Sequence, residues 1–268
     1  MFRLARAATL AAGLCLAGAG TTLACEQPPW TGTAIEGSLT QGGGTSGIAA
    51  AWFEEPTTRY AHGVLGDAIE AGTLAAQLDN APNCVTGRVT LPQAEVFEDL
   101  APRLADLDGD GRAEIIVVQS HRDLGARLAV YGLAPDGQGL RLLAATPNIG
   151  RTNRWLAPVG AADLDGDGYM EIAYVDRPHL ARTLRVWRYV DGTLTEIAAA
   201  SGLTNHRIGE AFITGGIRDC GAGPEIITAD ADWSRLVATR LAPDATLHAR
   251  DLGPFTRAAA RAALACAN

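Results

Sequence analysis

Short apolar strands, glycine-containing turns and an internal period of 54 to 57 residues predict an all-β fold. The pattern fits a β-propeller of four blades, each of about four antiparallel strands, followed by a short C-terminal helix. The period is read from Glu114, Glu171 and Glu225, each of which opens an apolar run. An open arc, or a ring assembled from several chains, is the alternative to a closed four-bladed ring.

Taken in order, each unit has an apolar strand, a polar turn with Asp or Glu and Arg, a second strand, a further turn and a third strand. The first strands fall at 48–52, 115–118, 172–175 and 226–229, the second at 59–64, 128–131, 184–187 and 236–239. Pro135-Asp-Gly137 and Asp191-Gly192 close the next hairpins. A leading strand precedes the first at 100–105, 156–161 and 211–214; the first two of these begin Leu-Ala-Pro at the same offset from the Asp that follows. Residues 254–266 are Ala-rich and helical by propensity, with Thr256 placed to cap the helix.

Between leading and first strand lie two nearly identical loops, Asp106-Leu-Asp108-Gly-Asp110-Gly-Arg112-Ala-Glu114 and Asp163-Leu-Asp165-Gly-Asp167-Gly-Tyr169-Met-Glu171. Carboxylates at positions 1, 3, 5 and 9 of a glycine-containing turn can face inward around one hard cation. Calcium suits them best, because it accepts six to eight oxygens in flexible geometry. Arg112 and Tyr169 would add backbone carbonyls, giving two ions in all. An EF-hand needs an acid at position 12 and flanking helices, whereas position 12 here is Val117 or Tyr174, inside a strand.

Asp-x-Asp-x-Asp-Gly-x-x-Glu between two short strands, repeated at this length, resembles the FG-GAP/VCBS repeat, the propeller repeat of integrin α-chains and many bacterial secreted proteins. The resemblance spans roughly residues 45–255. Its acidic motif is intact in two units only: 218–225 keeps Asp219 and Glu225, and 41–47 keeps no acid. The domain order expected is a signal peptide over 1–24, an extended segment over 25–45, four repeats over 46–253 and a helical tail over 254–268.

The chain has 268 residues, is 47% hydrophobic and 19% charged, and carries a formal charge of −8. All 22 basic residues are Arg, with no basic run, which disfavours nucleic acid and acidic membrane surfaces as partners. Arg3 and Arg6 followed by an apolar run over 7–20, too short to span a bilayer, read as an export signal cleaved after Ala24 or Ala19. The address is then periplasmic or extracellular, with lipidation of Cys25 as a lesser alternative and a monomer the expected state. Cys25, Cys84, Cys220 and Cys266 remain in the exported chain, and two disulfides, Cys25–Cys266 and Cys84–Cys220, are the expected pairing.

In a four-stranded blade the acidic loops lie on one face, and the 2–3 turns and blade connectors on the other. That second face would gather residues 54–59 and 121–123, Asp176, Arg177 and His179, residues 230–235 including Trp233, and two connectors. One connector carries Arg151, Asn153, Arg154 and Trp155, the other Asn205, His206 and Arg207; each has a Thr-Asn pair followed closely by Arg. Trp155 and Trp233 are the sugar-stacking candidates. The reading is an exported, calcium-stabilised binding module for a glycan or protein partner through this face. The alternatives are a hydrolase or lyase, with His121, His179 or His206 as base and Asp176 or Asp232 as its partner, and a purely structural envelope protein.

Overall fold

The computed structural model describes residues 33–42, 47–78, 86–137 and 139–267. The proposed signal peptide, Cys25, Cys84 and part of the turn at 41–47 lie outside them. The described chain is all-β, with one helix. Its strands fall into four antiparallel groups in chain order. The first holds β1 (Thr40–Gln41), β2 (Ile48–Thr57), β3 (Glu70–Leu78) and β4 (Thr86–Thr90). The second holds β5 (Glu95–Phe97), β6 (Arg103–Ala105), β7 (Glu114–His121), β8 (Gly125–Leu133) and β9 (Leu140–Ala145). The third holds β10 (Leu156–Ala162), β11 (Met170–Asp176), β12 (Thr183–Val190) and β13 (Thr193–Ser201). The fourth holds β14 (Leu203–Thr204), β15 (Gly216–Asp219), β16 (Pro224–Asp230), β17 (Arg235–Leu241) and β18 (Leu247–Pro254), and α1 (Arg257–Leu264) follows it. A single pairing of Ala71 with Phe97 joins the first two groups into one nine-stranded sheet.

The apolar runs make sense once both faces of each sheet are covered. Successive side chains of a strand point to opposite faces, and β7 divides accordingly. Ile115 and Val117 enter a core shared with the first group, around the stacked pair Phe53 and Phe97. Ile116 and Val118 enter the core shared with the third, with Leu156, Ile172 and Tyr174. Ala173 on β11 turns the other way, toward Ile226 and Val237 of the fourth group. Ile227, next to Ile226 on β16, faces out of that core and is covered by Ala260 and Ala263 of α1, together with Leu236 and Ala238. The helix therefore occupies the face where a further sheet would pack. Thr256 caps it as the sequence predicts, its Oγ1 accepting from Ala259 N at 2.9 Å.

Three expectations need correction. Residues 59–64 do not form the second strand of the first group. That strand is β3, paired with β2 from Ile48↔Leu78 to Thr57↔Glu70. Gly63, at φ 67°, breaks the extended backbone of 59–64, while the Ala-rich β3 has Thr73 as its one β-branched residue and so advertises a strand weakly. In the last group the leading strand is β15, beyond the expected 211–214. The expected disulfides fail as well: Cys266 bonds to Cys220, with their Cα atoms 5.6 Å apart. The physical cause is α1, whose C-terminus lies against the turn between β15 and β16, where Cys220 sits.

Candidate functional site

The two acidic loops adopt nearly one geometry. In the first, Asp106 accepts from the N–H groups of Gly109 and Gly111 at 2.8 and 2.9 Å, and Glu114 accepts from Leu107 N at 2.8 Å. In the second, Asp163 accepts from Gly166 and Gly168 at 2.8 and 3.0 Å, and Glu171 from Leu164 at 2.8 Å. Side chains at positions 1 and 9 thus fold each turn around its own backbone. Carboxylate oxygens of Asp106, Asp108 and Glu114 lie within 4.8 Å of one another, as do those of Asp163, Asp165 and Asp167. A cluster made only of carboxylate oxygens fits a hard divalent cation. Burial, with the charges of Asp108, Asp110 and Asp106 behind it, pushes the Glu114 carboxyl up to about 7 despite the bond from Leu107.

In the fourth group the equivalent Glu225 is tied to arginines instead. Arg218 reaches Oε2 at 2.7 Å, and Arg240 and Arg250 reach Oε1 at 3.0 and 2.9 Å. Burial would raise this carboxyl, but the bonds from Arg250, Arg218 and Arg240 hold it at about 2.

A second constellation gathers where the β2–β3 and β11–β12 loops meet the two connectors. Glu98, fully buried, anchors it. His62 Nδ1 lies 2.5 Å from Glu98 Oε1, Ser120 Oγ donates to Oε2, and Trp155 Nε1 donates to the Glu98 carbonyl at 2.8 Å. Asn153 N donates to the Tyr60 hydroxyl at 3.1 Å. His179 Nε2 and His206 Nδ1 lie 3.0 Å apart, and His206 Nε2 reaches the Glu210 carbonyl at 2.8 Å. A cavity of about 200 Å³ opens here, lined by His62, Asn153, Arg154, Trp155, Arg177, His179, Leu180 and Ile208. Burial first, then His206 and His62, push the His179 imidazole down to about 4, so it is neutral at pH 7. Asn153 and Arg177 hold left-handed backbone, φ 51° and 44°, a strain that clusters at binding sites. Gly125 brings the 151–154 connector this close: a Cβ there would sit 2.2 Å from the Arg151 carbonyl oxygen.

The structure sorts the residues expected on this face. Asn153, Arg154, Trp155, Arg177 and His179 converge at the cavity, and His206 sits behind it. Trp155 is buried with its indole N–H committed, so it offers no sugar-stacking face. Asn205 is also buried and donates to the Ala157 carbonyl at 3.1 Å, so the two Thr-Asn connectors are not equivalent. Arg207 lies over the Trp233 ring at 4.3 Å, in a separate cluster with Phe255. Arg151 is exposed. Asp176 holds Arg177 and Arg185, Asp232 accepts from Ser234 N, and His121 accepts from Asp123 N. The carboxylate that does pair with a histidine is Glu98, with His62. Neither was singled out from the sequence, because His62 lay inside the stretch read as a strand; its place after β2, matching that of His179 after β11, was the available signal.

Glu70, at the start of β3, adds a measurable property. Burial, then the charges of Glu98, Asp67 and Asp99, push its carboxyl up to about 9, so the folded state keeps it protonated at neutral pH. An acid with a raised folded pKa stabilises the fold below its unfolded value near 4.5 and loses that contribution as pH rises toward 9. The slope is about 1.4 kcal/mol per pH unit for one such group. Glu70→Gln is expected to flatten this decline, giving a higher urea midpoint than the parent at pH ~8 and little difference at pH ~5.

A family model described as an FG-GAP-like repeat matches residues 106–174, from the first acidic loop into β11. The chain therefore carries an FG-GAP-like repeat over that stretch. No curated protein matches the chain. Among solved structures, Sqt1 of Saccharomyces cerevisiae is similar with 12% identity and a TM-score of 0.37, over 71% of this chain and 44% of that one. The chain thus corresponds to less than half of that structure's length.

Proposed function

We propose that this chain is an exported, calcium-stabilised β-propeller that acts as an interaction module, binding a partner protein through the face opposite its acidic loops. The observation that carries the reading is the convergence at one cavity of segments distant in sequence: His62, the 153–155 connector, Arg177 with His179, and Ile208. Leu180 and Ile208, 63% and 72% exposed, flank this cavity beside Arg154 and Arg177. Apolar side chains next to guanidinium groups suit an acidic, partly apolar protein segment, since Arg pairs well with carboxylates. A sugar is favoured less, because Trp155 is interior and Trp233 is covered by Arg207. Export is supported by the N-terminal Arg-plus-apolar pattern and by the Cys220–Cys266 bond, which suits an oxidising compartment. Calcium is supported by the all-carboxylate donor sets of the two loops.

The test is peptide-display selection against the folded chain, with a glycan array run in parallel. Acidic peptides with apolar neighbours are the expected ligands. Arg154→Glu with Ile208→Ser is expected to weaken them by tenfold or more, about 1.4 kcal/mol, with the melting temperature unchanged. Full retention of binding in this double variant refutes the site. Binding confined to the glycan array, lost in the same variant, moves the partner class to sugars.

A further inference from the structure

The two acidic loops share a backbone geometry and differ in the arginine that meets their acids. In the antiparallel register Glu171 faces Arg188 on β12. Ile226 pairs with Thr239, so one step back sets Glu225 beside Arg240 on β17, and the two are ion-paired at 3.0 Å. Ile115 pairs with Tyr131, so the same step sets Glu114 beside Gly132 on β8; a Cβ on Gly132 would lie 3.7 Å from Glu114 Cγ. One position in the repeat is thus glycine in the second group and arginine in the third and fourth.

The consequence is visible at the carboxylates. Arg188 reaches Asp165 at 2.6 Å, Asp167 at 2.7 Å and Glu171 at 2.7 Å, the acids at positions 3, 5 and 9 of its loop. Its guanidinium thus holds Asp165 and Asp167, two of the three acids whose oxygens cluster with those of Asp163, and Glu171 beside them. In the 106–114 loop the nearest counterpart is Arg112, which pairs with Asp110 from the exposed side. Among the described residues no arginine lies within ion-pair distance of Asp106, Asp108 or Glu114. The fourth group completes the series: its loop has lost most of its acids, and three arginines hold Glu225.

We infer that Arg188 is a built-in cation that replaces calcium at the 163–171 loop, leaving 106–114 as the one tight site. This rests on the calcium reading proposed above. Calcium can enter the second loop only by displacing three charge-assisted bonds from a planar, permanently charged group. The first loop, whose three clustered carboxylates have no arginine partner among the described residues, gains neutralisation from an external ion. One loop would then respond to calcium while its twin keeps its shape without it.

The test is calorimetric titration of calcium chloride into the chelator-stripped exported chain, with melting followed in parallel. The parent is expected to show one tight site and a second at least about tenfold weaker. Arg188→Met, which keeps most of the stem and removes the charge, is expected to show two sites of comparable affinity and a larger calcium-induced rise in melting temperature. Should it fold poorly, Arg188→Gln retains a donor without the charge and is expected to strengthen the second site in the same direction. Two equal sites in the parent, or isotherms that neither substitution changes, overturn the role of Arg188 and leave the calcium reading standing. No binding in the parent or in either variant overturns both.

Discussion

Glu225→Ala is expected to destabilise the fold by about 3 kcal/mol, the cost of removing one partner from a buried charge network. Glu225 is buried at the start of β16, and its two oxygens gather arginines from β15, β17 and β18. Arg218 matters most, because it is itself buried and also donates to the Ala263 carbonyl of α1 at 2.8 Å. Without Glu225 it keeps a desolvated positive charge with no anion. Arg240 and Arg250 are 41% and 60% exposed and solvent screens their share, so most of the loss belongs to the Arg218 pair. The pH dependence has a definite sign. A carboxyl held at about 2 stabilises the fold above its unfolded value near 4.5, and that contribution is lost as pH falls toward 2. Urea unfolding should show a lower midpoint with an unchanged slope at pH 7, and a parent and variant that converge in acid. Equal midpoints at pH 7 would sink the idea that this network fastens the fourth sheet.

Removing the Cys220–Cys266 bond, by Cys220→Ser with Cys266→Ser, is expected to cost about 4 kcal/mol by the loop-entropy account. The two cysteines are separated by 46 residues, so the bond closes a loop holding β16, β17, β18 and α1. It also pins the end of the helix that covers Ile227, Leu236 and Ala238. The double variant should melt at a lower temperature, and reductant should lower the parent toward it without affecting the variant. Limited proteolysis should then release the tail beyond Pro254 first. A variant that melts with the parent would show that helix packing alone holds this end.

Much of the architecture was legible because it is encoded by period and spacing. Runs such as Ile115-Ile-Val-Val118 can be buried only between two other layers, and their recurrence every 54 to 57 residues marks stacked sheets. The acidic loops were legible because each is a closed local circuit, with Asp106 bonding to Gly109 and Gly111. Where signal and structure parted, long-range contacts decided. The Ala-rich β3 is a strand because β2 and β4 pair with it, and no local preference announces that. Trp155 looked like an exposed loop aromatic, yet the Glu98 carbonyl, 57 residues away, takes its N–H.

The sequence by itself determined the strand-and-turn repeat and the two acidic loops, since these depend on neighbours within a few residues. The cysteine partner, the His62–Glu98 pair at the cavity and the residue opposite each loop glutamate, glycine for Glu114 and arginine for Glu171 and Glu225, were decided only by the tertiary structure. Each of these depends on which distant segments lie side by side, and sheet register and helix docking, not local spacing, set that adjacency.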